Sequence, residues 1–209
     1  MDLPDPPVLV ISDRSQVQRP LTEVAASSFA GGCRWFSLRE KDLPAGERRA
    51  LLAALVEIGH RFGALVTAHE DTDAVLAVGA DGVHLPGGSD PHAARVLLPG
   101  RLIGASAHSA AEAAALLQAG ADYVTVSPIF PTASKPGYGP ALELDGLARV
   151  VAATLGPVVA LGGITLENAA LCRAAGARGI AVMGEIMRAA EPELTVARLI
   201  RAFSGEARV

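Results

Sequence analysis

Short runs of β-branched and other apolar residues alternate along this chain with longer Ala- and Leu-rich stretches. The short runs predict strands at Val8–Ser12, Trp35–Leu38, Ala64–Thr67, Gly82–His84, Leu102–Ser106, Tyr123–Val126, Val158–Leu161 and Gly179–Met183. Between them the apolar spacing predicts helices near Leu21–Ala30, Ala45–Phe62, Thr72–Val78, Pro91–Leu97, Ala110–Ala119, Leu144–Leu155, Thr165–Ala175 and Glu193–Phe203. The strands are apolar on both faces, as buried parallel strands are. Eight βα units in strict alternation within 209 residues predict one α/β domain over 1–209, folded as a (β/α)8 TIM barrel. An open doubly wound sheet is the alternative, and so many regular units in so short a chain favour closure.

An internal repeat fits closure. Ala77-Val-Gly79-Ala-Asp81-Gly-Val83, Ala119-Gly120-Ala-Asp122-Tyr-Val124 and Ala175-Gly176-Ala-Arg178-Gly-Ile180 share one shape. Each is a helix end, a glycine suited to the left-handed position that ends a helix, then a buried strand. Such a repeat marks the N-terminal end of the barrel, so Asp81 and Asp122 are expected to be structural.

Composition narrows the function classes. Half the residues are hydrophobic, enough for a sizeable core without disulfide staples. A net charge of −4 gives no footprint for nucleic acid or an anionic membrane. Cys33 and Cys172 are far apart and form no metal-ligand pattern, which suits a reducing compartment. The first ten residues lack a basic start and an apolar signal core, and no apolar run reaches membrane-spanning length. The expectation is a soluble cytoplasmic protein with no nucleic-acid or membrane partner.

Candidate chemistry is sought at the C-terminal strand ends, where barrels carry their sites and bind phosphate after strands seven and eight. Strand seven runs into Gly162-Gly163, whose backbone can approach an anion, and a helix expected from Thr165 would aim N–H groups at it. Strand eight ends at Met183-Gly184, where another short helix can start. Ser37, Arg39 and Lys41 share one face at the end of strand two. Arg39 suits a phosphate, pyrophosphate or carboxylate, or else an ion network with Glu40 and Asp42. His69, His84 and His108 follow or end strands three, four and five, and an imidazole at the mouth suits proton transfer near neutral pH. His84 is equally well read as a hydrogen-bonded core group. The irregular stretch 127–142, with Thr132, Ser134 and Lys135, reads as a substrate-covering loop. Glu70, Asp71 and Asp90 do not make a magnesium pair by spacing, and Asp90 before Pro91 reads as a helix cap.

Seven strings carry a resemblance: VISD (10–13), FSLREKDL (36–43), AVGADGVHLP (77–86), IGASAHS (103–109), GADYVTVSPIFPTASKPG (120–137), VVALGGITLENA (158–169) and GIAVMGEI (179–186). Together they resemble the thiamine phosphate synthase/TenI family, along the whole barrel. The resemblance implies a small phosphorylated thiazole as ligand, its phosphate on backbone amides of Gly162, Gly163, Met183 and Gly184. It also implies substrate contacts from Arg39, Lys41, Ser106, Thr132, Ser134 and Lys135, and a homodimer.

The pyrimidine half departs from the synthase pattern. Where synthases have Gln-x-Arg-x-Lys this chain has Ser37, Arg39 and Lys41; their Asn-Asp is His69-Glu70; their second magnesium aspartate falls on Ser89. These departures point to a TenI-like thiazole tautomerase that needs no cofactor. His69 or His84 would then move the proton and Arg39 would hold the substrate carboxylate, because the tautomerase histidine position is Pro128 here. The alternative is a thiamine phosphate synthase that joins hydroxymethylpyrimidine pyrophosphate to thiazole phosphate. Arg39, Lys41 and Lys135 would then bind pyrophosphate, with Mg2+ on Glu70. A further alternative is a non-catalytic regulatory protein that binds thiazole phosphate.

Overall fold

A computed structural model describes residues 2–132 and 140–205. Eight strands form a closed parallel barrel in sequence order: β1 Val8–Ile11, β2 Trp35–Leu38, β3 Leu65–His69, β4 Gly82–Leu85, β5 Leu102–Ala107, β6 Tyr123–Val126, β7 Val158–Leu161 and β8 Gly179–Val182. Closure is made by β8 against β1, with Leu9 opposite Ala181. The helices are α1 Leu21–Ala30, α2 Ala45–Arg61, α3 Thr72–Val78, α4 Pro91–Leu97, α5 Ala110–Gln118, α6 Glu143–Ala152, α7 Ala169–Ala174, α8 Gly184–Met187 and α9 Pro192–Ser204. A short 3-10 turn, Arg14–Gln16, follows β1.

Period-two alternation divides the core into two layers. Val8 and Val10 on β1, Phe36 and Leu38 on β2 and Val66 on β3 belong to the layer beneath the helices. Leu9, Ile11, Trp35, Leu102, Tyr123, Val159 and Ala181 fill the barrel interior. Trp35 meets Tyr123 edge-on, ring centroids 4.7 Å apart. Gly104 makes room for them, because a Cβ there would overlap the Tyr123 ring. The interior is therefore filled from the N-terminal part of the strands, where Trp35, Leu102 and Tyr123 begin β2, β5 and β6.

The acids of the repeat tie the far end together. Asp81 accepts the Val66 N–H at 2.8 Å, and Asp122 accepts the Ile103 N–H at 2.7 Å while pairing with Arg95. Each binds the start of the preceding strand, as expected of structural residues.

Several boundaries differ from the pattern-based reading, most by one residue and the end of α6 by three, and two of the differences bear on the site. β3 runs to His69, two residues beyond the expected end, and pairs it with His84 of β4. α7 begins at Ala169 rather than Thr165. The reason is Asn168: its Oδ1 accepts the Thr165 N–H at 2.8 Å, and its Nδ2 donates to the Gly163 carbonyl at 2.8 Å. The segment is held as a turn, so the Thr165 N–H expected to face an anion is already satisfied. The short helix after strand eight is present as α8.

Candidate active site

A cavity of about 570 Å3 opens at the C-terminal ends of the strands. That volume suits a small organic substrate. Its floor is His84, only 3% exposed. His84 Nδ1 lies 3.0 Å from the Tyr123 hydroxyl, and Nε2 lies 2.9 Å from Ser106 Oγ and 3.3 Å from Thr125 Oγ1. Both ring nitrogens are thus engaged, as a buried neutral imidazole requires. Burial, reinforced by the neighbouring His69 and Arg39, lowers its pKa to about 3. So placed, His84 is a neutral hydrogen-bonding core group rather than a base poised near neutral pH. Ser106, which also lines the cavity, helps to hold it.

His69 stacks on His84 at 5.4 Å between centroids and 24° between planes, and its own side chain is 11% exposed at the cavity edge. Its Nε2 lies 3.2 Å from Glu70 Oε1. Glu70 has φ +66°, a left-handed conformation unfavourable for a residue with a Cβ. That backbone turns its carboxylate towards both His69 and Lys41 Nζ, with which it forms an ion pair.

The cations at the end of β2 are sorted by the turn after β1. Arg14 donates its backbone N–H to Glu40 at 3.1 Å and pairs its guanidinium with Asp42. The two acids expected as rivals for Arg39 are thereby taken. The Arg39 N–H donates to Ser12 Oγ at 2.8 Å, and Arg39 lines the cavity with no carboxylate in direct ion-pair contact among the described residues, while the charge of Asp13 acts on it from the same wall. Asp13, also on the cavity wall, accepts from the Ser15 N–H and hydroxyl and from Gln16 Nε2.

Gly162 and Gly163 line the opposite part of the wall at φ +95° and +66°. The loop after β6 is laid against them: the Phe130 N–H donates to the Gly162 carbonyl at 3.0 Å. A Cβ at Gly163 would stand 2.6 Å from the Pro131 carbonyl oxygen and 2.7 Å from Phe130 Cβ. These glycines are required by the backbone and its packing, whatever they bind. Met183, Gly184 and Thr132 also border the cavity, whereas Ser134 and Lys135 lie outside the described residues.

The carboxylates do not assemble a metal site. Asp71 caps α3 through the Ala74 N–H and pairs with Arg48; Asp90 caps α4 through the His92 N–H; Glu70 faces Lys41 and His69. Among the described residues no three His, Cys, Asp or Glu side chains are grouped to hold a metal ion. The donor set at the mouth therefore does not fit a protein-held Mg2+, for which Glu70 alone was the candidate. No helix among the described residues is long and apolar enough to cross a membrane.

Among the charged residues of the cavity, sequence reasoning missed three: Asp13, Glu185 and Arg188. Asp13 and Glu185 stood inside matching strings without a stated role, and Arg188 lies just beyond the last string.

A parallel (β/α)8 barrel with a polar cavity at its strand C-termini belongs to the class that handles small molecules at that face. The chain belongs to the thiamine monophosphate synthase family, which it matches over residues 8–186. It is 44% identical over 186 residues to a putative thiamine-phosphate synthase of Geobacter sulfurreducens, covering 88% of this chain and 87% of that one. It is 40% identical over 204 residues to the thiamine-phosphate synthase of Myxococcus xanthus, covering 96% and 93%. Among solved structures, the thiamine phosphate pyrophosphorylase of Pyrococcus furiosus superimposes with a TM-score of 0.86 at 31% identity, covering 95% of each chain.

Proposed function

We propose that this chain is a thiamine-phosphate synthase that couples hydroxymethylpyrimidine diphosphate to thiazole phosphate. The relatives' names favour this reading over the tautomerase first expected from the departures at Ser37, His69 and Ser89. The carrying observation is that one cavity has two sectors suited to anions: Arg39 and Lys41 at β2, and the glycine turns after β7 and β8. A synthase has two phosphorylated substrates to hold.

In the coupling, the thiazole ring nitrogen bonds to the pyrimidine methylene carbon as the carbon–oxygen bond to diphosphate breaks. Negative charge gathers on the leaving group, and cations aimed there stabilise that change. Arg39 offers a fork that no carboxylate pairs with directly, although the charge of Asp13 on the same wall acts on it. Lys41 must exchange Glu70 for diphosphate. Their side chains are 51% and 41% exposed, and a pair so open to water contributes little, so the exchange costs little. His69 would border the pyrimidine, with the His84–Tyr123 network as a dry floor.

Arg39→Gln tests the assignment. The KM for the pyrimidine diphosphate should rise at least about tenfold, in line with a lost charged hydrogen bond, while that for thiazole phosphate stays within about twofold. An equal rise for both would remove Arg39 from the diphosphate site. The tautomerase is the second reading. It is favoured by the dispersal of the carboxylates to caps and ion pairs, and by a histidine, His69, at the cavity edge.

A further inference from the structure

After β8 the chain turns at Gly184 into α8, and at the end of that helix Arg188 folds its guanidinium back over Gly184. The approach is so close that a Cβ on Gly184 would overlap the guanidinium. Gly184 is buried, and both residues border the cavity. Arg188 is exposed but held in place. Its Nη1 donates to Gln16 Oε1 in the 3-10 turn after β1, and Gln16 Nε2 in turn donates to Asp13 Oδ2 at 2.5 Å. Asp13 is fixed by the Ser15 N–H at 3.1 Å and its hydroxyl at 2.6 Å. These hydrogen bonds hold its carboxyl below the usual range although partial burial opposes them. A chain of side chains from the β1 end therefore aims a cation at the β8 end, through contacts 172 residues apart in sequence.

The direct partner of Arg188 is a neutral amide, so its charge is not matched by a carboxylate ion pair among the described residues. Glu185, one residue beyond Gly184, borders the same cavity and would repel an anion there. Backbone amides alone would have to offset that repulsion. A guanidinium beside them supplies directed donors and a full positive charge.

We propose that Arg188 is a phosphate-binding residue of this cavity, holding the phosphate of the thiazole substrate against the Gly184 side, and that Gln16 sets its orientation. This rests on the synthase reading for the identity of the substrate, but not for the presence of a phosphate.

The experiment uses Arg188→Gln, Arg188→Lys and Gln16→Leu in the full chain. Inorganic phosphate binding is measured by 31P NMR titration, and coupling kinetics with both substrates. In Arg188→Gln, phosphate affinity should fall and the KM for thiazole phosphate should rise by about 10- to 100-fold, the range for a charged hydrogen bond. The KM for the pyrimidine diphosphate and the kcat should stay within about twofold. Hydroxyethylthiazole, which lacks the phosphate, should compete equally well with wild type and variant, an outcome a general loss of structure would not give. Arg188→Lys should restore part of the affinity, and Gln16→Leu should weaken phosphate by less than Arg188→Gln. Wild-type phosphate binding that depends on Arg188, in a chain that does not couple the substrates, would sustain the inference and remove the synthase reading. Coupling insensitive to Arg188→Gln would do the reverse. A wild-type chain that binds no phosphate overturns both.

Discussion

His84 should make this protein acid-sensitive, and replacing it should remove that sensitivity. In the folded chain burial holds the imidazole neutral, with a pKa lowered to about 3, whereas the unfolded chain takes up the proton near the ordinary value of about 6.5. Between those values the unfolded state binds more protons, so stability rises with pH and falls on acidification. The loss begins as pH drops through about 6.5 and continues towards the folded-state value. Near pH 5 the folded group is still neutral and the unfolded group is mostly charged, so the linkage amounts to about 2 kcal/mol relative to neutral pH. That figure holds for any folded value well below 5. Urea unfolding of wild type and His84→Gln near pH 7 and near pH 5 isolates the effect, since the other titrating groups are common to both chains. The variant should be less stable at neutral pH, because the Tyr123 hydroxyl loses its imidazole partner, yet lose about 2 kcal/mol less on acidification. Parallel losses in the two proteins would refute the buried neutral imidazole. So would an imidazole that titrates near 6.5 by NMR in the folded wild type.

The remaining expectations concern the wall and the mouth. Gly163→Ala should lower unfolding stability by about 2–4 kcal/mol, combining a left-handed φ of +66° with a Cβ forced against the Pro131 carbonyl; a loss under about 1 kcal/mol would show that the loop yields. For the same reason a loss of ligand binding in Gly163→Asp would not by itself identify an anion site. His69→Asn should leave coupling within about tenfold, whereas a fall of about 100- to 10,000-fold in conversion of thiazole carboxylate phosphate would install it as a tautomerase acid/base.

The barrel was legible because its signals are local. Buried parallel strands read as apolar runs, and the glycine-bounded repeat recurs at the N-terminal end of the strands. Asp81 and Asp122 were placed correctly because their role follows from position in that repeat. What stayed hidden depends on contacts across the closed sheet. That Arg14 takes Asp42, freeing Arg39, joins residues 28 apart. That His84 meets Tyr123 and Ser106, rather than solvent, depends on Gly104 admitting a ring from the next strand. The start of α7 was misjudged because Asn168 can hold a turn as readily as precede a helix, and spacing does not separate the two. Arg188 was unreadable for the plainest reason: nothing in GEIMR says that its partner follows β1.

The coupling itself is the most direct test. The purified chain is mixed with hydroxymethylpyrimidine diphosphate and thiazole phosphate in magnesium-containing buffer, and the mixture is followed by 31P NMR and mass spectrometry. Thiamine phosphate and free pyrophosphate should accumulate in equal amounts, and only when both substrates are present. The contradicting result is a folded chain that forms neither, yet isomerises thiazole carboxylate phosphate supplied alone.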